Sequence, residues 1–252
     1  MEHERVNQRV QRINLLKIPL DILREEDLEE VIRTLAEEKK PHQIVLLNFR
    51  EFMRSRRDQE RLRMLHEAAL VLPISRSLIR GARFLKRDLP VRKMPFEFVI
   101  RLLGVIEKIN GTVYLLGERN RELNISSGNL RDSFPGVLIV GRHQGYLSPE
   151  REKDVVMAIK KTTPTLLLAG SGLKGGDRWI YRRQNELGAT FSLWCGECFK
   201  IFSGKAQRIS RKQWESRAHA CATLIKNPIR LLGVFPRIGF GMLLLIYRIR
   251  KL

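Results

Sequence analysis

A chain of 252 residues with 43% hydrophobic and 29% charged residues is long enough for one sizeable core, and its ordinary apolar content excludes an intrinsically disordered chain. The formal net charge of +20 implies an anionic partner: nucleic acid, acidic lipid or a phosphorylated ligand. Three cysteines and a charged segment over residues 2–12 without an apolar signal region argue against secretion and for a reducing cytoplasm.

Residues 13–18 read as a first strand, which Pro19 places at an edge or ends. Residues 24–39 have helical spacing, with Leu28, Val31, Ile32 and Leu35 on one face and acidic residues in the first turn. Residues 43–48 form a continuous apolar strand closed by Asn48. A charged helix is expected over 51–68, a short strand over 70–73 and a short helix over 77–84. Pro90 and Pro95 frame a loop before an amphipathic helix over 96–109.

The central stretch has the order strand, glycine, helix, strand. Residues 112–116 are a short β-rich run that Gly117 breaks, and a polar segment with weak helical spacing follows over 118–133. Phe134-Pro135-Gly136 turns the chain into a second apolar run, 137–140, ending at Gly141. Such a unit pairs its strands in parallel, and ligands sit beyond the carboxyl ends of such strands. The loops starting at Gly117 and Gly141 are therefore where a site is expected. Ser148 and Pro149 then open a helix to residue 161, followed by a strand over 165–169, a helix over 177–187 and a strand over 189–194. The alternation specifies an α/β fold, Rossmann-like, with a mainly parallel sheet and helices on both faces.

From Lys205 to the end eleven residues are Lys or Arg, and Glu215 is the only acid. This divides the chain into an α/β core over 1–210 and a basic C-terminal appendage over 211–252. The apolar run over 238–247 is about half of the ~20 residues a spanning helix requires. A basic segment of this kind suits an anionic membrane surface, with Arg237, Arg248, Arg250 and Lys251 on the headgroups and residues 243–246 in the interface. The competing reading is a terminal helix docked on the core with its cations in water.

Three further patterns bear on chemistry. Gly170-Ser171-Gly172-Leu173-Lys174-Gly175 is a G-x-G-x-x-G between a strand and a helix, which lets backbone amides approach a phosphate. The acidic residue that a dinucleotide site needs about 20 positions on is met only loosely by Glu197, so the pattern suggests phosphate contact and no bound cofactor. Cys195 and Cys198, with the distant His219 and Cys221, could supply soft metal ligands or pack as small apolar side chains; the reading adopted is no metal. Asn48, residues 73–76 and the run Arg142-His143-Gln144-Gly145-Tyr146 fall at strand ends, hence on one rim.

Leu46-Leu47-Asn48, Ala68 through Pro73, Val113 through Gly117, Phe134-Pro135-Gly136 and Val140 through Tyr146 resemble, at matching spacing, the WecG/TagA/CpsF glycosyltransferases (glycosyltransferase family 26). The resemblance continues through Trp179-Ile180, residues 199–204, Arg208 and Asn227-Pro228-Ile229-Arg230-Leu231. It implies a peripheral enzyme on the cytoplasmic face of the bacterial inner membrane, working in cell-envelope polysaccharide synthesis. Its partners would be a UDP-sugar donor and a polyprenyl-diphosphate-linked acceptor, with transfer of an N-acetylmannosamine-type sugar and inversion of the anomeric centre. Nucleic acid is not implied, and self-association stays open. The substrate would lie along Asn48, Gly117, Gly141, Arg142, Gly145, Tyr146, Gly172, Lys174, Gly176 and Arg230, with Arg142 and Lys174 neutralising the diphosphate.

Three departures from the family's pattern stand out, one being Gly176 where the family has its pocket glutamine. The position of the family's proposed catalytic aspartate is Ile74, and the aspartate of its phenylalanine-aspartate motif is Lys200. An inverting transferase needs a base to deprotonate the acceptor hydroxyl, and isoleucine cannot act as one. Asp177 and His143 are the candidates. Asp177 is expected to stay ionised and weakly basic at a helix N-terminus, and His143 has the more neutral pKa. A catalytically impaired relative, acting as a nucleotide-sugar-binding or scaffold subunit, is the alternative.

Overall fold

In a computed structural model the described residues are 9–38, 40–215 and 234–249. The strands are β1 (Val10–Leu15), β2 (Ile18–Leu23), β3 (His42–Leu47), β4 (Leu70–Pro73), β5 (Thr112–Leu116), β6 (Leu138–His143), β7 (Leu166–Ala169) and β8 (Phe191–Trp194). Six of them form one sheet in the order β4-β3-β8-β7-β5-β6, with every neighbouring pair parallel. Every residue of β3, β4 and β7 is buried, because helices cover both faces and leave no strand position for a polar side chain to reach water. Only β6 is left as an open edge, with Leu138 63% exposed.

On one face Ile44, Leu46, Val113, Leu115, Leu166, Leu168 and Leu193 pack with α1 (Leu28–Glu37), α5 (Pro95–Lys108), α6 (Asn120–Ser133) and α9 (Cys198–Phe202). On the other, Val45, Leu47 and Val71 meet α2 (Phe49–Ser55), α3 (Gln59–Glu67) and α4 (Arg76–Phe84). The same face continues where Tyr114, Leu116 and Leu167 meet α7 (Pro149–Thr162) and α8 (Asp177–Leu187).

The expected strand over 13–18 is instead an antiparallel hairpin of β1 and β2, with Pro19 inside β2 opposite Asn14. Its two-residue turn is Leu16 and Lys17, at φ 50° and 71°. A tight hairpin turn needs left-handed backbone at both central residues, and here neither is the Asn or Gly that would have announced it. The hairpin shields the β4 edge through side chains. Asp21, fully buried, accepts from the Val71 N–H at 2.6 Å and from Arg12 at 2.7 and 2.8 Å. Arg12 also donates to the Ala68 carbonyl at 2.9 Å, so the edge cannot template another strand.

The single helix expected over 51–68 is broken in two, because Asp58 caps a new start by accepting from the Glu60 and Arg61 N–H groups at 3.0 and 3.1 Å. The helix expected from residue 24 begins at Leu28. Strand β6 does not end at Gly141. It runs to His143 across a register irregularity opposite Val113 and Tyr114.

Beyond the sheet, the short helix α10 (Arg211–Glu215) closes over the end of β4. Arg76 and Arg92 donate to the Trp214 carbonyl at 2.9 and 3.0 Å, and Arg92 also donates to the Ile74 carbonyl at 3.0 Å. The Arg92 guanidinium lies 3.7 Å from the Trp214 ring centroid. Helix α11 (Val234–Ile249) buries Phe240 and Leu244 against α4 and the hairpin. Gly81 makes this docking possible, since a Cβ there would lie 2.7 Å from Phe240 Cζ. Ile238, Met242, Leu245, Ile246 and Ile249 of α11 stay exposed. No helix among the described residues is long and apolar enough to cross a membrane.

Candidate active site

The carboxyl ends of β5, β6 and β7 meet in a cradle of glycines. A Cβ on Gly117 would lie 2.8 Å from Gly170 Cα, and one on Gly145 would lie 2.8 Å from Gly117 Cα and 3.0 Å from the Gly172 carbonyl carbon. Backbone touches backbone here, so only glycine is accommodated. Hydrogen bonds lock the three strand ends together: Gly117 N–H to His143 O at 3.0 Å, Gly170 N–H to Leu116 O at 2.8 Å, and Gly145 N–H to Glu118 O at 3.1 Å. Tyr146 packs its ring edge against Gly172, is 56% exposed, and lies 5.8 Å from the Arg119 guanidinium. Lys174 projects from the same loop into solvent. Gly176, at φ 55°, starts α8 against the Trp194 ring, whose N–H donates to the Gly170 carbonyl at 3.0 Å. A smooth backbone surface with an exposed aromatic ring and nearby cations suits a nucleoside diphosphate.

One polar residue of this cradle, Glu118, was not singled out from the sequence. Glu118 is 3% exposed and takes φ 51°. Its N–H donates to the Ser171 carbonyl at 2.5 Å, and its Oε1 accepts from the Ser171 hydroxyl. Burial pushes the Glu118 carboxyl up, while Lys200 pulls it down. Lys200 is itself held up by its bond to Glu197 at 3.0 Å, with Glu118 and Tyr146 adding to the effect. The signal that could have found Glu118 is its position directly after the strand-ending glycine, which the helical reading of 118–133 absorbed.

Asp177 directly follows Gly176 at the start of α8, but its surroundings are those of α2, α3 and β3. Its carbonyl accepts from the Gln43 amide at 2.9 Å, and the charges acting on its carboxyl are those of Glu51 and Arg61, under α2 and α3. Its Oδ1 is buried and without a hydrogen-bond partner. Burial, with Glu51 adding, pushes the carboxyl up to about 8, against the lowering effect of Gln43. The expected ionised carboxylate is thereby corrected: desolvation outweighs the helix dipole.

His143 ends β6, half-buried, and its Nδ1 lies 2.8 Å from the Gln144 carbonyl oxygen. A carbonyl can only accept, so Nδ1 carries a proton, and Nε2 is the ring nitrogen outside this contact. Arg142 beside it is exposed. Gly141 lies inside the strand, not in a loop, and accommodates the Tyr114 ring, since a Cβ would be 2.4 Å from Cε2. Asn48 caps α2, its Oδ1 accepting from Glu51 N–H at 2.9 Å. Ile74 packs against the core, and Ser75 accepts from the Phe49 N–H at 2.9 Å. The structure thus brings together Gly117, Gly145, Tyr146 and Gly172, with His143 and Lys174 on the adjoining segments.

Arg230, His219, Cys221, Arg250 and Lys251 lie outside the described residues. Cys195 and Cys198 are both buried as free thiols, and burial pushes the Cys198 thiol well above its ordinary value. Among the described residues no cluster of three or more His, Cys, Asp or Glu side chains is arranged to hold a metal ion.

The model of the "Glycosyl transferase WecG/TagA/CpsF family" matches residues 13–252. Two relatives carry the name N-acetylglucosaminyldiphosphoundecaprenol N-acetyl-beta-D-mannosaminyltransferase. The protein of Bacillus spizizenii strain W23 is 21% identical over 167 residues, covering 66% of this chain and 64% of its own length. That of Bacillus subtilis strain 168 is 21% identical over 174 residues, covering 69% and 67%. The chain thus spans about two thirds of the length of the curated relatives it matches.

Proposed function

Because the chain belongs to the WecG/TagA/CpsF glycosyltransferase family, we propose that it transfers an N-acetylmannosamine-type sugar from a UDP donor to a polyprenyl-diphosphate-linked acceptor. The observation that carries this reading is the glycine cradle, where Gly117, Gly145 and Gly172 leave bare backbone at the strand ends. The uridine diphosphate lies along it, with Tyr146 against the base or ribose and Lys174, Arg142 and Arg119 offsetting phosphate charge. The acceptor hydroxyl attacks the anomeric carbon from the opposite face, and the bond to UDP breaks with its electrons leaving on the diphosphate. The hydroxyl proton goes to Nε2 of His143, the ring nitrogen left free by the Gln144 contact. The proton is not assigned to Asp177, whose Oδ1 is buried and whose carboxyl is influenced by Glu51 and Arg61 of α2 and α3.

The chain works at the cytoplasmic face of the inner membrane. Support comes from the exposed apolar residues of α11 and from Arg237 and Arg248 on the same helix. A second reading, a nucleotide-sugar-binding or scaffold subunit without transfer, is favoured by Ile74, which packs against the core where the family's aspartate stands.

Calorimetry with UDP tests the cradle. Gly145→Ala is expected to weaken binding by at least about tenfold, or roughly 1.4 kcal/mol, and the Arg142→Ala, Lys174→Ala pair by a similar amount. Unchanged affinity in both would put the nucleotide elsewhere.

A further inference from the structure

A groove of about 320 Å³ runs between α4 and α11, lined by Ser77, Arg80, Gly81 and Phe84 on one side and Arg237, Phe240, Gly241 and Leu244 on the other. Each helix contributes positions i, i+3, i+4 and i+7, the single face that a helix turns toward a neighbour. Each contributes one arginine, one glycine and apolar surface; Gly81 is covered by Phe240, while Gly241 faces open space. Phe240 seats against Gly81, and the Arg248 guanidinium lies 4.9 Å from the Phe84 ring centroid. The two helices therefore run in the same direction, with Ser77, Arg80 and Arg237 at one end and Phe84 and Leu244 toward the other.

The charged end lies on the carboxyl side of the sheet, since α4 begins at Arg76, directly beyond the end of β4, three strands from β7. Arg80 and Arg237 are both exposed and make no ion pair among the described residues. Two unpaired guanidinium groups at the head of an apolar channel match a ligand with an anionic head and a long hydrocarbon tail. The exposed apolar residues of α11 lie on the adjacent face of the same helix, so a chain emerging from the groove would pass directly into a lipid interface.

We propose that this groove holds the isoprenoid chain of the acceptor, with the acceptor's diphosphate at the Arg80 and Arg237 end. The assignment rests on the acceptor reading given above and adds where the lipid chain lies.

The full-length protein, titrated with farnesyl diphosphate, inorganic diphosphate and lysophosphatidylglycerol, tests it. A Cβ at Gly241 or at Gly239 meets nothing within 4 Å, so leucine fits the fold at either position, and helix propensity improves at both. Only Gly241 lines the groove. Gly241→Leu is expected to weaken farnesyl diphosphate by about tenfold while leaving inorganic diphosphate nearly unchanged, and Gly239→Leu to alter neither. Replacing Arg80 and Arg237 together by glutamine weakens both diphosphates.

Equal effects of the two leucines on farnesyl diphosphate would overturn the proposal. So would lysophosphatidylglycerol binding as tightly with the same dependence on Gly241, because the groove would then hold membrane lipid. UDP binding at the cradle, with farnesyl diphosphate blind to Gly241→Leu, overturns the groove and leaves the transferase reading standing. The reverse pattern supports the groove and overturns that reading.

Discussion

Replacing Asp177 with asparagine is expected to stabilise the protein by an amount that grows with pH. In the unfolded chain this carboxyl titrates at its ordinary 3.8, and in the folded protein at about 8. Between those values the unfolded chain gives up the proton and the folded protein keeps it. Stability therefore falls as pH rises through this window and levels off above the folded value. Each pH unit inside the window is worth about 1.4 kcal/mol. The cost relative to an uncharged side chain is thus about 2 kcal/mol at about pH 5.5, on the order of 4 kcal/mol at pH 7, and roughly 6 kcal/mol above pH 8. Asparagine keeps the shape and adds a donor that Gln43 Oε1, also buried without a partner, can accept. Urea denaturation of wild type and Asp177→Asn across this range would show the two curves converging in acid and diverging in base. A constant difference, or a variant less stable at pH 8, would mean that the carboxylate is ionised and paired, and would refute the burial argument.

Other substitutions test the remaining parts. Asp21→Asn removes the charge that holds Arg12 and weakens the bond from Val71, which should cost about 2–4 kcal/mol by urea titration. Gly117→Ala forces a Cβ to within 2.8 Å of Gly170. It should lower UDP affinity by at least about tenfold while far-ultraviolet circular dichroism stays unchanged. Ending the chain before residue 229 strips Phe240 and Leu244 from beside Phe49 and Phe52. The remaining core should lose roughly 3–5 kcal/mol and no longer sediment with anionic vesicles.

The sheet was legible from sequence because its strands are continuous apolar runs punctuated by glycines, and burial on both faces writes that pattern directly. What stayed hidden depends on contacts distant in the chain or on backbone that no residue type announces. Leu16 and Lys17 turn the first hairpin without Asn or Gly. Asp58 restarts a helix inside the charged stretch 54–61, where no apolar residue marks the break. Gly141 looked like the end of a strand, yet its missing side chain serves the Tyr114 ring. That Gly117, Gly145, Tyr146 and Gly172 lie together could be read from sequence because these glycines stand at strand ends. Glu118 was missed because its burial comes from the loop at Ser171, 53 residues away. The fate of Asp177 was set by Gln43 and Glu51, more than a hundred residues earlier, and a helix-end argument could not contain them.

The most direct measurement is single-turnover transfer from UDP-N-acetylmannosamine to an N-acetylglucosaminyl-diphosphate-linked polyprenol, for wild type, His143→Ala and Asp177→Asn. The account predicts transfer by wild type, a loss of about 10²–10⁴ in His143→Ala, and a rate within about tenfold of wild type in Asp177→Asn. An inert wild type, or a rate abolished by Asp177→Asn and retained by His143→Ala, would contradict it.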